Sequence, residues 1–174
     1  MQEPAVNGST IGIIGLGEIG REIALRAAAF GMNILYFQRT RLPPREEETL
    51  GASYRPLHTL LAQSDWVVPQ LPGDPSTRHF IDGERLALIK PGACLINVSR
   101  ADIVERNALL EALRSGHLGG FALDPLYEEP GRHDDELLAF DNVILTPHIA
   151  GSPRSNGLRD MEELITGLAQ ALFE

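Results

Sequence analysis

The stretch Thr10 to Arg21, TIGIIGLGEIGR, leaves a chain few ways to fold. Ile11, Ile13 and Ile14 make an apolar run without polar alternation, the pattern of a parallel strand covered on both faces. The run breaks into Gly15, Gly17 and Gly20, spaced G-x-G-x-x-G. At that spacing the first glycine makes a tight turn, the second lets backbone approach a pyrophosphate, and the third lets the next helix pack closely on the strand. Glu18 and Ile19 open that helix, whose unpaired N–H groups and positive dipole end suit a phosphate. Such glycines also occur in ordinary loops, so the context decides. Ile19, Ile23, Ala24, Ala27 and Phe30 give the helix an apolar face, Gly31 closes it, and a second strand over Asn33 to Phe37 follows at βαβ distance. The stretch reads as a dinucleotide site; the alternative is a plain structural glycine turn.

The alternation continues. Helices are expected over Arg45–Leu50, Leu57–Gln63, Gly83–Lys90 and Arg106–Ser115, with a short one around Glu136–Phe140. Strands are expected over Ser53–Arg55 (a brief one at best), Trp66–Leu71, Ala93–Ser99, Gly120–Leu123 and Val143–Thr146. From about Ser155 to Phe173, Leu158, Met161, Leu164, Ile165, Leu168 and Leu172 form one stripe at helical spacing, either folded back on the sheet or left as an exposed patch. The pattern predicts an α/β, Rossmann-type doubly wound parallel sheet in three α/β/α layers. A length of 174 residues suits one domain rather than two, so 1–174 is read as a single nucleotide-binding domain, with 1–9 a polar lead-in and 155–173 a C-terminal helix.

Composition removes several function classes. A net charge of −9 disfavours nucleic acid as a partner. No apolar run reaches bilayer length and the first residues lack a signal-peptide profile, so no membrane partner is expected and a cytoplasmic location is. The lone Cys94 sits in the apolar run Ala93 to Val98 and reads as a small buried hydrophobe rather than a nucleophile. The histidines fall into no metal-ligand spacing, so no metal is expected; His58, His79, His117 and His133 receive no task.

In a doubly wound sheet ligands bind outside the carboxyl ends of the strands, so chemistry is sought at the strand-to-helix corners. The corner after the second strand normally carries an acid for the adenosine ribose; here it reads Gln38-Arg39-Thr40-Arg41. Guanidinium groups in place of a carboxylate favour a 2′-phosphate, hence NADP over NAD, unless these are solvated turn arginines. The corner after the fifth strand ends Val98-Ser99-Arg100, that after the sixth reads Ala122-Leu123-Asp124-Pro125 and continues to Glu128-Glu129-Pro130, and that after the seventh is Thr146-Pro147-His148-Ile149-Ala150-Gly151. A cation for a carboxylate, an acid and an imidazole thus stand at three successive corners, where each would by position alone be an ordinary surface residue.

At these residues, through TIGIIGLGEIGR, LPGDPSTRHFI, LALIKPGACLINVSRADIV, GGFALDPLYEEP and NVILTPHIAGS, the chain resembles the nucleotide-binding domain of the D-isomer-specific 2-hydroxyacid dehydrogenases, a group that includes glyoxylate/hydroxypyruvate reductases and the C-terminal-binding-protein corepressors. The resemblance implies hydride transfer between nicotinamide and a small 2-keto or 2-hydroxy acid. It implies that Arg100 binds the substrate carboxylate and keto oxygen, that His148 exchanges the proton, and that Glu129 orients the imidazole. Asp124 would accept from the nicotinamide carboxamide; Leu71, Pro72, Thr77, Val98, Ser99 and Gly151 would lie along the cofactor with Arg100 and His148. YFQRTR is similar to the NADP-tolerant glyoxylate-reductase branch, and a homodimer through this domain is implied. The sequence departs from the family at Gln70, where many members have histidine, at Ala101 for glycine, and at Glu105, a poorer N-cap than aspartate. The family's substrate domain is missing from these residues, so weak activity of the isolated chain is expected. The alternative is a catalytically silent nucleotide-sensing module like the corepressors.

Overall fold

The computed structural model describes residues 5–151. The helix expected over 155–173 lies outside the described residues. Seven strands alternate with helices: β1 (Thr10–Ile14), α1 (Glu18–Ala29), β2 (Asn33–Phe37), α2 (Pro44–Leu50), β3 (Ala52–Tyr54), α3 (Leu57–Gln63), β4 (Trp66–Pro69), α4 (Gly83–Leu88), β5 (Cys94–Asn97), α5 (Arg106–Arg114), β6 (Gly120–Leu123) and β7 (Val143–Leu145). Short 3-10 turns stand at Ala101–Ile103 and Glu136–Ala139.

All strands pair in parallel in one sheet of order β3-β2-β1-β4-β5-β6-β7, the doubly wound Rossmann arrangement. The chain runs outward from β1 through β2 and β3, then returns to β4 on the other side of β1. That reversal leaves a crevice at the carboxyl ends of β1 and β4, where such folds hold their ligands.

Alternation along the strands separates two cores. On one face Ile11, Ile13, Ile34, Tyr36 and Val68 pack with Ala24 and Ala27 of α1 and Leu50 of α2. On the other, Ile14, Leu35, Val67, Leu95 and Phe121 pack with Leu60 and Leu61 of α3, Leu86 of α4, and Leu109, Leu110 and Leu113 of α5. Helices therefore cover both faces. On the first face the covering by the described residues stops short of β7, where Ile144 is 66% exposed beside half-buried Ile96 and Ala122.

Within the described residues the expected elements are present; most have shorter ends, while α2 starts one residue earlier at Pro44 and β3 sits one residue earlier, at Ala52–Tyr54. β4 stops at Pro69 rather than Leu71 and β5 covers Cys94–Asn97 rather than 93–99, because β4 and β5 pair only through Trp66↔Cys94 and Val67↔Leu95 and then part. Gln70 N–H leaves that edge to donate to the Ile14 carbonyl at 2.7 Å. α4 ends at Leu88, two residues early, since Ile89 is already extended ahead of Lys90-Pro91. Glu105 begins α5 without a side-chain cap, in keeping with its weakness as an N-cap. Ile19 and Phe30 were expected in the core face of α1 but are 64% and 65% exposed; the small Ala24 and Ala27 do the packing instead.

Candidate active site

The glycine turn divides its work as its spacing requires. Gly15 sits at φ +97°, donates its N–H to the Phe37 carbonyl at 2.8 Å, and leaves no room for a side chain: a Cβ there would meet the Gln70 carbonyl oxygen at 2.3 Å. A Cβ on Gly20 would lie 2.4 Å from the Gly15 carbonyl oxygen, so the start of α1 rests directly on the turn. At Gly17 a Cβ would meet nothing within 4 Å, and Gly17 begins α1 with no side-chain cap. The helix thus presents uncapped N–H groups to open space, which is what a phosphate needs. Gly15→Ala is expected to cost about 2–5 kcal/mol of folding stability from left-handed strain and overpacking, read by urea denaturation.

That space is a cleft of about 470 Å³ bounded by Gly17–Gly20 on one side, by Gln70-Leu71-Pro72-Gly73 at the end of β4, and by Val98-Ser99-Arg100 after β5. Ile19, exposed and out of the core, stands in its wall. Ser99 Oγ donates to the Pro69 carbonyl at 3.0 Å, tying the two rims together where the strands have parted. Nothing in the sequence assigns Gly73 a role. A Cβ there would lie 2.4 Å from Arg100 Cγ, so glycine lets the arginine stem cross this loop.

At the corner after β2 the arginines differ. Arg41 donates through Nε and Nη2 to both oxygens of Glu47, each at 2.8 Å, and Glu47 Oε1 also accepts from Tyr36 Oη at 2.6 Å. Arg41 first, then Tyr36, pulls the Glu47 carboxyl down to about 2. Arg41 is therefore committed to its own fold. Arg39 makes no hydrogen bond among the described residues and has only the charge of Asp74 nearby. Gln38 accepts from Leu16 N–H at 3.1 Å and donates to the Thr40 carbonyl at 2.6 Å, clamping this corner to the glycine turn. Thr77 does not face the cleft: it is 9% exposed and its hydroxyl bonds to the Pro72 carbonyl within its own loop.

Arg100 also lines a second cleft, of about 370 Å³, with Ala101, Asp102, Pro125, Leu126, Tyr127, Glu129 and His148. The guanidinium is exposed, and Nη1 donates to the Ser99 carbonyl at 2.8 Å. His148 Nδ1 lies 2.8 Å from Glu129 Oε1. A carboxylate only accepts, so Nδ1 carries the hydrogen and Nε2 is left for exchange. Glu129 is itself steadied by Leu126 N–H at 3.2 Å. Tyr127 Oη donates to the Val104 carbonyl at 2.8 Å, and burial raises its pKa well above the ordinary tyrosine value, so the ring is a neutral wall.

The backbone of His148 sits at φ +53°, unusual for a residue with a side chain. Asp124 holds it there. Its carboxylate, 3% exposed, accepts from Thr146 Oγ1 at 2.5 Å, Ile149 N–H at 2.9 Å and Ala150 N–H at 3.0 Å, while its carbonyl accepts from His148 N–H at 2.9 Å. Burial alone would raise the Asp124 carboxyl, but these hydrogen bonds and the nearby imidazole outweigh it and leave the pKa below the ordinary range. The resemblance implied a contact to the nicotinamide; in this structure the carboxylate holds the 146–150 turn, and Asp124 lines neither cleft. Gly151 ends the described residues.

Residues 1–150 match the family described as D-isomer specific 2-hydroxyacid dehydrogenase, NAD binding domain. A glyoxylate reductase of Thermococcus onnurineus is 49% identical over 160 residues, covering 92% of this chain and 47% of that protein. The solved glyoxylate reductase from Paecilomyes thermophila superposes with a TM-score of 0.89 at 40% identity, over 98% of this chain and 51% of its own. A D-isomer specific 2-hydroxyacid dehydrogenase from Xanthobacter autotrophicus Py2, solved with NADPH and MES, gives 0.75 at 38% identity, over 82% of this chain and 45% of its own. The chain spans about half the length of the curated relatives it matches.

Proposed function

Because the chain belongs to the D-isomer-specific 2-hydroxyacid dehydrogenase family, we propose that it is the nucleotide-holding half of a reductase that moves hydride between NADP(H) or NAD(H) and a small 2-keto acid of the glyoxylate or hydroxypyruvate type. The reading rests on Arg100 standing in the wall of both clefts, so that the open glycine turn and the Glu129–His148 pair adjoin one guanidinium. Relatives named as glyoxylate reductases support the substrate class.

The residues present fit a dinucleotide: uncapped helix start, glycine where a side chain would intrude, and a cleft leading from them to Arg100. Bound nicotinamide would supply the hydride. Arg100 would hold the substrate carboxylate through its planar fork and keep the carbonyl oxygen within reach of His148. On reduction His148 Nε2 gives that oxygen a proton, and on oxidation it takes one back. Glu129 holds the ring and compensates its positive charge while the proton is aboard. Leu126 and Tyr127 exclude water from one side. Because the described residues wall the clefts from one side, a polypeptide of these 174 residues tested by itself is expected to bind the nucleotide and turn over glyoxylate or hydroxypyruvate poorly. Turnover by this chain alone at rates ordinary for an enzyme would overturn the half-site reading.

Fluorescence titration with NADPH and NADH tests the cofactor half. Tighter NADPH binding is expected, carried by Arg39: Arg39→Ala should weaken NADPH by about tenfold or more, the worth of a charge-assisted contact, and leave NADH unchanged. Gly17→Ala should fold normally yet weaken both, because its Cβ would fill only ligand space. Equal or tighter NADH binding removes the phosphate argument and leaves the fold and the hydride chemistry standing.

A further inference from the structure

Besides Tyr127, which burial keeps neutral, four residues with ionisable side chains line the Arg100 cleft, and the proposed chemistry uses three of them: Arg100, Glu129 and His148. The fourth is Asp102. We propose that Asp102 sets the charge selectivity of this cleft, admitting keto acids whose only negative charge is the 2-carboxylate and disfavouring those that carry a second acidic group. The inference rests on the keto-acid reading of the site.

The 3-10 turn Ala101–Ile103 brings Asp102 to the rim directly after Arg100, and its carbonyl is pinned by His79 N–H at 2.7 Å. The carboxylate has no hydrogen-bonding or ion-pair partner among the described residues, and Asp102 is exposed. Its charge adds to the burial that disfavours ionisation of the Tyr127 hydroxyl, which donates to the Val104 carbonyl two residues further along the same segment. Arg100 matches the 2-carboxylate of the substrate and Glu129 compensates a protonated His148, so Asp102 stands as an additional negative charge that a second acidic group would meet. A cleft built for a dianion would have a cation at this rim. Two unit charges about 6 Å apart in a half-exposed site interact by roughly a tenfold factor in affinity.

The test uses two acids of one length, 2-oxobutyrate ending in a methyl and oxaloacetate ending in a carboxylate. Binding to the NADPH-loaded protein of natural length is read by quenching of NADPH fluorescence, and kcat/KM is measured beside it. The wild type is expected to favour 2-oxobutyrate. Asp102→Asn should shift the binding ratio about tenfold toward oxaloacetate, Asp102→Glu should keep the wild-type ratio, and added salt should shrink the difference between them. A ratio unmoved by Asp102→Asn, or one moved equally by Asp102→Glu, overturns the proposal. Binding without reduction of either acid would sink the reductase reading while the ratio still reports on Asp102; no binding of either acid would sink both.

Discussion

Replacing His148 with alanine is expected to lower kcat for keto-acid reduction by about 10²–10⁴-fold, the usual worth of a positioned general acid, while NADPH affinity changes little. His148 Nδ1 is fixed on Glu129 at 2.8 Å, so the ring keeps its other nitrogen for the substrate oxygen, and no neighbouring side chain of the cleft can take over. Asp102 and Glu129 are acids in the same cleft, but Glu129 is turned to His148, and Asp102 follows Arg100 in the 3-10 turn Ala101–Ile103 with no hydrogen bond to the imidazole. Glu129→Gln separates orientation from charge. Its amide oxygen still accepts from Nδ1–H, whereas the compensation of an imidazolium is lost, so a smaller fall than His148→Ala is expected. Steady-state kinetics on the protein of natural length, with NADPH binding as the control, checks both. A histidine variant that keeps wild-type kcat would remove the proton-transfer role and leave the cleft a binding site only.

The fold and the site were legible in the sequence to different depths. The glycine turn could be read because each of its three positions answers to a separate steric demand, and the structure meets each one: Gly15 against Gln70, Gly20 against Gly15, and Gly17 against nothing. The alternation of strands and helices could be read because sheet burial imposes a period that composition displays directly. Strand ends were over-extended at β4 and β5 because apolar residues continue past the point where the strands part, and parting is a property of the sheet that local sequence does not contain. Ile19 shows the same limit. Its spacing suits a core face, yet the helix approaches the sheet too closely, through Gly20 and two alanines, to leave room for it.

Side-chain commitments were the least legible. Arg39 and Arg41 look equivalent in QRTRLPP, but Glu47 in α2 and Tyr36 in β2 capture Arg41 and leave Arg39 free of hydrogen bonds among the described residues. A signal existed: Glu47 lies six residues beyond Arg41, in the first turn of the next helix. Gly73 gave no signal, since its purpose is set by Arg100, which is distant in sequence and near in space.

Asp124→Asn is expected to have the largest effect on the integrity of the site, and it acts through His148 rather than on the substrate. Three donors converge on the Asp124 carboxylate, from Thr146, Ile149 and Ala150. Asparagine is nearly isosteric but carries one acceptor oxygen, so its amide nitrogen must face at least one of these donors. A buried donor left unpaired costs about 1–3 kcal/mol, and the left-handed backbone at His148 loses what holds it. Urea denaturation at neutral pH should show a loss of roughly 2 kcal/mol, and kcat should fall as the imidazole leaves Glu129. Adding Asp124→Asn to His148→Ala should lower kcat no further, because the aspartate contributes to turnover only by positioning that ring. The stability gap has a defined pH course. The folded pKa of Asp124 lies below its unfolded value, so its contribution is present above the ordinary aspartate range and is lost as pH falls through the folded value. Wild type and Asp124→Asn should therefore differ most near neutrality and converge in acid. A gap constant with pH would show that the Asp124 charge is not what anchors the turn.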